Sequence, residues 1–193
     1  MQIGIIGTGN VGTALAEGFT AAGHDVAIGS RSPSDTAGPD GVTVESQAAT
    51  AGHGELVVLA VPGSVAPGVA ADLADELAGT TLVDATNEYP EPTADRSLAS
   101  RIADAAPEAR VVKAFNTIGA NRMTDPVVDG ERATMLLAGG DTDPVADLAA
   151  DLGFEPVVAG GLGAADRLEH LARLWIDLSR EYGREIAFRL LRE

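Results

Sequence analysis

Short apolar runs recur along this chain, separated by longer stretches in which apolar and polar residues mix. The runs are Ile3–Ile6, Val26–Ile28, Leu56–Val61, Leu82–Val83, Val111–Phe115, Met135–Ala138 and Pro156–Ala159. Each is too short for a helix, and within each the apolar positions are nearly continuous instead of alternating. That is the pattern of parallel strands covered on both faces. Between the runs, residues 11–22, 64–78, 94–106 and 144–152 carry apolar positions at helical spacing. Strand alternating with helix predicts an α/β fold, a Rossmann-type doubly wound and mostly parallel sheet. Residues 32–41, rich in Ser, Pro, Asp and Gly, read as a surface loop.

The pattern changes after residue 159. Gly160-Gly161-Leu162-Gly163 is a breaker, and residues 164–191 then read as one long C-terminal helix. Leu168, Leu171, Ala172, Trp175, Leu178, Tyr182 and Ile186 fall three and four apart and form an apolar face. Leu174, Phe188 and Leu191 lie off it. This is more apolar surface than a capping helix needs, and it predicts a homodimer with Trp175 and Leu178 near or behind the seam.

The first strand carries the clearest chemical signal. Gly7-Thr8-Gly9-Asn10-Val11-Gly12 follows it at once and opens the first helix. Strand, glycine turn and helix is the context in which G-x-G-x-x-G binds a dinucleotide. Gly7 permits the tight turn, Gly9 lets the backbone approach the pyrophosphate, and Gly12 lets helix and strand pack closely. The helix N-terminus offers free N–H groups and a positive dipole end to the phosphates. The second strand is expected over residues 24–28, and the chain then reads Gly29-Ser30-Arg31-Ser32 with no acid before Asp35. An acid just past this strand would accept from the 2′-OH of NAD; Arg31, flanked by serine hydroxyls, suits the 2′-phosphate of NADP. The expected division is therefore an NADP-binding Rossmann domain over 1–160 and a helical appendage over 161–193 packed on it.

Composition narrows the partners. The chain has 193 residues with 29 acids against 13 Lys and Arg, a formal charge of −16. Phosphate backbones need a basic face, so nucleic acid is not an expected partner. The acids are dispersed and Lys113 is the only lysine, a pattern of halophilic surfaces whose self-repulsion high salt screens. With no cysteine there is no disulfide, thiolate metal site or cysteine nucleophile, and no metal centre is expected. No apolar run approaches the length of about 18 residues that a membrane span needs. A signal peptide is not recognisable, and a cytoplasmic location is expected.

Three strand ends point to the ligand crevice that lies outside the carboxyl ends of parallel strands: 59–63, 83–88 and 111–119. Taken with the glycine turn and Ser30-Arg31, the segments Ala60-Val61-Pro62 and Val111-Val112-Lys113-Ala114-Phe115-Asn116-Thr117-Ile118-Gly119-Ala120 carry a resemblance. The whole chain, its final helix included, resembles the NADPH-dependent reductases of the deazaflavin coenzyme F420, with a haloarchaeal source suggested by the charge. The resemblance implies that Gly7, Thr8, Gly9, Asn10, Val11 and Gly12 hold the pyrophosphate and Ser30 and Arg31 the 2′-phosphate. It also implies that Val61 and Pro62 border the nicotinamide, and that Asn116, Thr117, Ile118 and Gly119 meet the acceptor ring. Where F420 reductases look to have histidine and proline, this chain has Asn116 and Gly119. That version is similar to a broader group that includes the cytoplasmic domain of the metalloreductase ferric reductases. The departure bears on the second substrate, not on NADP(H).

The implied reaction is hydride transfer between NADP(H) and F420 or a related flavin, a small-molecule partner. Such a reaction needs orientation and water exclusion more than acid–base groups, so no catalytic side chain is expected. His24, His53 and His170 all lie away from the predicted strand ends, and Lys113, the one conceivable proton donor, is mid-strand. Two alternatives stand beside this reading: a small NADPH-dependent carbonyl or imine reductase, and a non-catalytic NADP(H)-binding redox module.

Overall fold

The computed structural model describes residues 1–92 and 94–192. Among these the chain runs β1 (Gln2–Ile6), α1 (Asn10–Ala21), β2 (Asp25–Ser30), β3 (Thr43–Ser46), α2 (Gln47–His53) and β4 (Leu56–Leu59). It continues through α3 (Ala66–Asp72), β5 (Thr81–Asp84), α4 (Leu98–Ala105), β6 (Arg110–Lys113), β7 (Val127–Val128) and β8 (Glu131–Arg132). The last elements are β9 (Thr134–Gly139), α5 (Asp143–Asp151), β10 (Glu155–Gly160) and α6 (Ala165–Tyr182). Eight strands form one sheet in the order β10-β9-β6-β5-β4-β1-β2-β3, and β7 and β8 make a separate hairpin. Every pairing in the large sheet is parallel except β6 with β9. The strand order reverses beside β1, between β2 and β4, and there the crevice opens.

The continuous apolar runs are explained by helices on both faces of the sheet. On one face Ile3, Ile5, Val58, Val83 and Val112 pack with Leu15 and Phe19 of α1 and Leu148 of α5, all buried. On the other, Ile6, Val57, Leu59 and Leu82 pack with Ala66 and Ala70 of α3 and Leu98 and Ile102 of α4. Full burial of each large aliphatic side chain stabilises by about 1.5–3 kcal/mol, so the alternation of faces along each strand holds the layers together.

Several elements differ from the reading of the sequence. The second strand extends two residues further than expected, so Gly29 and Ser30 lie inside it and Arg31 is the first residue beyond. β3 and α2 were not expected; Ser46 caps α2 by accepting a hydrogen bond from the Ala49 amide. Helix α3 stops at Asp72 instead of reaching residue 78, where Asp72, Asp75 and Glu76 would crowd the negative end of a longer helix. Helix α4 begins at Leu98, not at residue 94, because Ser97 supplies the N-cap and accepts from the Ser100 amide. The hairpin had a local signal, Asp129-Gly130, with φ of 53° and 78°.

The long C-terminal helix is present but ends at Tyr182, not at residue 191. Gly183 takes φ of 81°, and the chain turns back as an extended tail. The Trp175 indole donates to the Ile186 carbonyl (3.0 Å), and the Thr134 amide donates to the Phe188 carbonyl (2.9 Å). The Leu190 amide donates to Thr134 Oγ1 (2.9 Å), and Arg189 pairs with Glu131. Of the predicted apolar stripe, Leu168, Ala172 and Trp175 are buried within the protomer, whereas Tyr182 is 70 % exposed.

Candidate functional site: a dinucleotide cleft

A cleft of about 560 Å³ opens at the reversal of strand order. Its floor is the turn between β1 and α1, where the three glycines have three different geometries. Gly7 has φ of 127°, and a Cβ there would stand 2.3 Å from the Ala60 carbonyl oxygen. A Cβ on Gly12 would stand 2.0 Å from the Gly7 carbonyl oxygen. Gly9 has an ordinary φ of −81° and a Cβ there would meet nothing within 4 Å, although the residue lines the cleft. Protein packing thus demands glycine at 7 and 12 but not at 9; a close-approaching ligand would account for the third. Helix α1 has no side-chain cap and no acid in its first turn, which leaves its first N–H groups and its positive end to the crevice. These features fit a pyrophosphate.

One end of the cleft is polar. The Ser32 amide donates to Ser30 Oγ (3.1 Å), Ser30 Oγ lies 2.7 Å from Thr36 Oγ1, and Thr36 Oγ1 donates to the Ser32 carbonyl (2.9 Å). This ring holds the turn that presents Arg31, which is exposed. Thr36 and Gln47 also line this end. Neither was singled out in the sequence: Thr36 lies in the loop expected beside Arg31, and Gln47 opens the unexpected helix α2. Among the described residues lining the cleft Arg31 is the one ionisable side chain, and no acid is among them to accept from a 2′-OH.

The opposite wall is Ala60, Val61 and Pro62, where β4 ends. Gly63 behind it is pressed on the Asn87 carbonyl oxygen, 2.3 Å from where its Cβ would be. Asn87 Nδ2 donates to the Asn116 carbonyl (2.7 Å), and Asn116 Nδ2 donates to Asn87 Oδ1 (3.1 Å) and to the Leu168 carbonyl of α6 (3.2 Å). This pair joins the loops after β5 and β6.

Of the residues expected to bind cofactor, Gly7, Thr8, Gly9, Ser30, Arg31, Val61 and Pro62 line the cleft. Asn10, Val11 and Gly12 form the start of α1. Asn116, Thr117, Ile118 and Gly119 do not line it: the first three are at most 8 % exposed, and a Cβ on Gly119 would meet Trp175 at 2.8 Å. They form the buried backing of the Asn87 loop. Just before them Phe115 holds φ of 57°, uncommon for a bulky residue, with its ring edge-on to Phe19 and Phe154.

No histidine lines the cleft. His24 contacts Asp151 (3.1 Å), His53 stands 3.7 Å from Asp25, and His170 Nδ1 is 2.8 Å from the Asp166 carbonyl. Lys113 is fully buried and paired with Asp84 (2.9 Å).

With this geometry in place, the family model described as NADP oxidoreductase, coenzyme F420-dependent, matches residues 2–88. The F420-dependent NADP reductase of Methanothermobacter thermautotrophicus is 30% identical over 211 residues, which cover 93% of this chain and 89% of that protein. This chain belongs to the F420-dependent NADP oxidoreductase family. A crystal structure from Arthrobacter sp. FB24, assigned as an F420-dependent NADP reductase, superposes with a TM-score of 0.90 at 32% identity and 100% coverage of both chains. The rat metalloreductase STEAP3 is 33% identical over 175 residues, 87% of this chain but only 36% of the metalloreductase. The chain therefore spans about a third of such relatives. Among the described residues of this family member, no helix is long and apolar enough to cross a membrane.

Proposed function

We propose that this protein transfers a hydride between NADP(H) and coenzyme F420 or a related flavin, as a homodimer in the cytoplasm of a salt-adapted cell. The observation that carries the reading is the cleft itself. A glycine that packing does not require sits between an arginine-and-hydroxyl end and an apolar end. The family membership supports the same substrates. The two bound cofactors would supply the redox chemistry, exchange of a hydride between the nicotinamide and the acceptor ring. The chain's part is to bind, orient and exclude water. The α1 N-terminus and Gly9 hold the pyrophosphate, Arg31 with Ser30 and Thr36 the 2′-phosphate, and Val61 and Pro62 the nicotinamide. The Asn87–Asn116 pair stiffens the wall behind Pro62. Arg31 is the single ionisable side chain among the described residues lining the cleft, which supports a rate borne by positioning.

The test is anaerobic mixing of catalytic amounts of protein with NADPH and F420, with FMN in a parallel arm. Loss of F420 absorbance at many turnovers supports the reading. Turnover with FMN alone moves the acceptor toward flavins. Tight NADPH binding with turnover of neither acceptor would overturn it in favour of a non-catalytic NADP(H)-binding module.

A further inference from the structure

The only lysine of the chain is its most deeply buried cation. Lys113 closes β6, its side chain is 0 % exposed, and it stands opposite Asp84, the last residue of β5. Its ammonium has three N–H donors. One partner is Asp84 Oδ2 at 2.9 Å, a second is the Thr86 carbonyl, and Glu169 Oε1 of α6 lies at 3.7 Å. Both carboxylates are spent on backbone as well. Asp84 Oδ1 accepts from the Thr86 amide (2.9 Å) and hydroxyl (2.6 Å), folding the first residues after β5 into a tight turn. Glu169 accepts from the Leu98 and Ala99 amides (3.0 and 3.1 Å) and so occupies the N-terminus of α4.

A buried ion pair is a poor source of stability, because desolvation offsets the attraction, and apolar replacements of the same shape often serve as well. What the trio supplies is geometry. The turn that Asp84 and Lys113 fix delivers Asn87, and the helix that Glu169 anchors delivers the Leu168 carbonyl. Those are the two partners of the Asn116 side chain. The hub thus lies one link behind the Asn87–Asn116 pair, and that pair lies one link behind Gly63 and the cleft wall.

We propose that Lys113 is a positioning residue for hydride transfer. Through the Thr86 carbonyl, Asp84 and Glu169 it holds the β5 loop and helix α6 in the one arrangement in which the Asn87–Asn116 pair backs the nicotinamide end of the cleft. The inference rests on the hydride-transfer reading above. It assigns Lys113 no contact with substrate and no proton to move.

Two measurements test it. In the first, protein labelled with ¹⁵N at the lysine side chain gives one ammonium signal, since there is one lysine. That signal should shift when NADPH saturates the wild type and stay in place with 2′,5′-ADP, which lacks the nicotinamide. A signal indifferent to both, or moved equally by both, overturns the proposal, and this arm needs neither a variant nor an acceptor. In the second, Lys113→Met with Glu169→Gln keeps the charge of the trio at −1 (one cation and two acids before, one acid after). The NADPH Kd should stay within about twofold, while single-turnover hydride transfer to F420 falls at least ~10-fold, the scale of a small misplacement. Transfer within twofold of wild type refutes the proposal, as does a loss of NADPH affinity equal to the loss of rate. Should wild type fail to reduce F420, the acceptor assignment falls and the NMR arm alone decides the role of Lys113.

Discussion

Gly9→Ala separates a glycine kept for the fold from one kept for a ligand. The new methyl group would meet no protein atom within 4 Å, and the backbone at φ −81° suits alanine. Two small terms act on stability. Lower entropy of the unfolded chain favours the variant by about 0.4–1 kcal/mol, and alanine at the N-cap of α1 is worse than glycine by a similar amount. The net change should be within roughly 0.5 kcal/mol, a shift of only about 1–2 °C in Tm for a chain of this length. Binding should respond very differently. A methyl group in the cleft keeps the pyrophosphate from the α1 amides, and charge-assisted hydrogen bonds are worth about 1.5–3 kcal/mol each. Loss of one such bond weakens NADPH binding by roughly 10- to 150-fold. Gly12→Ala is the contrast: its Cβ would stand 2.0 Å from the Gly7 carbonyl oxygen, so the turn itself must move and Tm should fall by several degrees. The assay is thermal melting of the apo proteins together with fluorescence titration of NADPH. A Gly9→Ala protein that binds NADPH as wild type does would refute the placement of the pyrophosphate over this turn.

Arg31→Ala should weaken NADPH by about 1.5–3 kcal/mol while NADH binding hardly changes; equal losses would mean that Arg31 does not hold the 2′-phosphate. With a charge of −16, Tm should rise from low to molar KCl as screening relieves repulsion, and a flat or falling curve would count against salt adaptation. Light scattering at micromolar concentration should report a dimer, with half-buried Leu171 and Leu178 and exposed Leu174 of α6 available to the partner copy; a monomer rejects it. The Tyr89 hydroxyl donates to Asp177 (2.9 Å), which raises its pKa above the ordinary tyrosine value of 10.0. The neutral phenol is therefore favoured in the folded state, a contribution present below the unfolded pKa and lost as pH rises through the folded one. Ultraviolet titration of the two tyrosines should show Asp177→Ala lowering one transition, and Tyr89→Phe should remove that transition. A curve unchanged by Asp177→Ala would contradict the contact.

What could be read from the sequence is what neighbouring residues decide. The strand–glycine–helix start is legible because tight turns and close approach constrain backbone a few residues at a time, and Gly7, Gly9 and Gly12 sit in the places that pattern implies. The strands were legible because a sheet covered on both faces needs continuous apolar runs, and the missing acid before Asp35 is a local fact as well. Boundaries were less so: Asp72 and Ser97 shorten two helices through charge and capping that periodicity does not register. The antiparallel entry of β9, the return of the tail from Gly183, and the place of Thr36 and Gln47 in the cleft depend on which distant segments meet. The same holds for the surroundings of Gly119 and Lys113. Gly119, expected at the acceptor, has Trp175 packed on it from 56 residues away, and Lys113, in the sequence the one conceivable proton donor, is the centre of a trio drawn from β5, β6 and α6. Periodicity shows that a side chain is enclosed; only the packed fold decides by what, because partners across a sheet are set by strand order and register and not by distance along the chain.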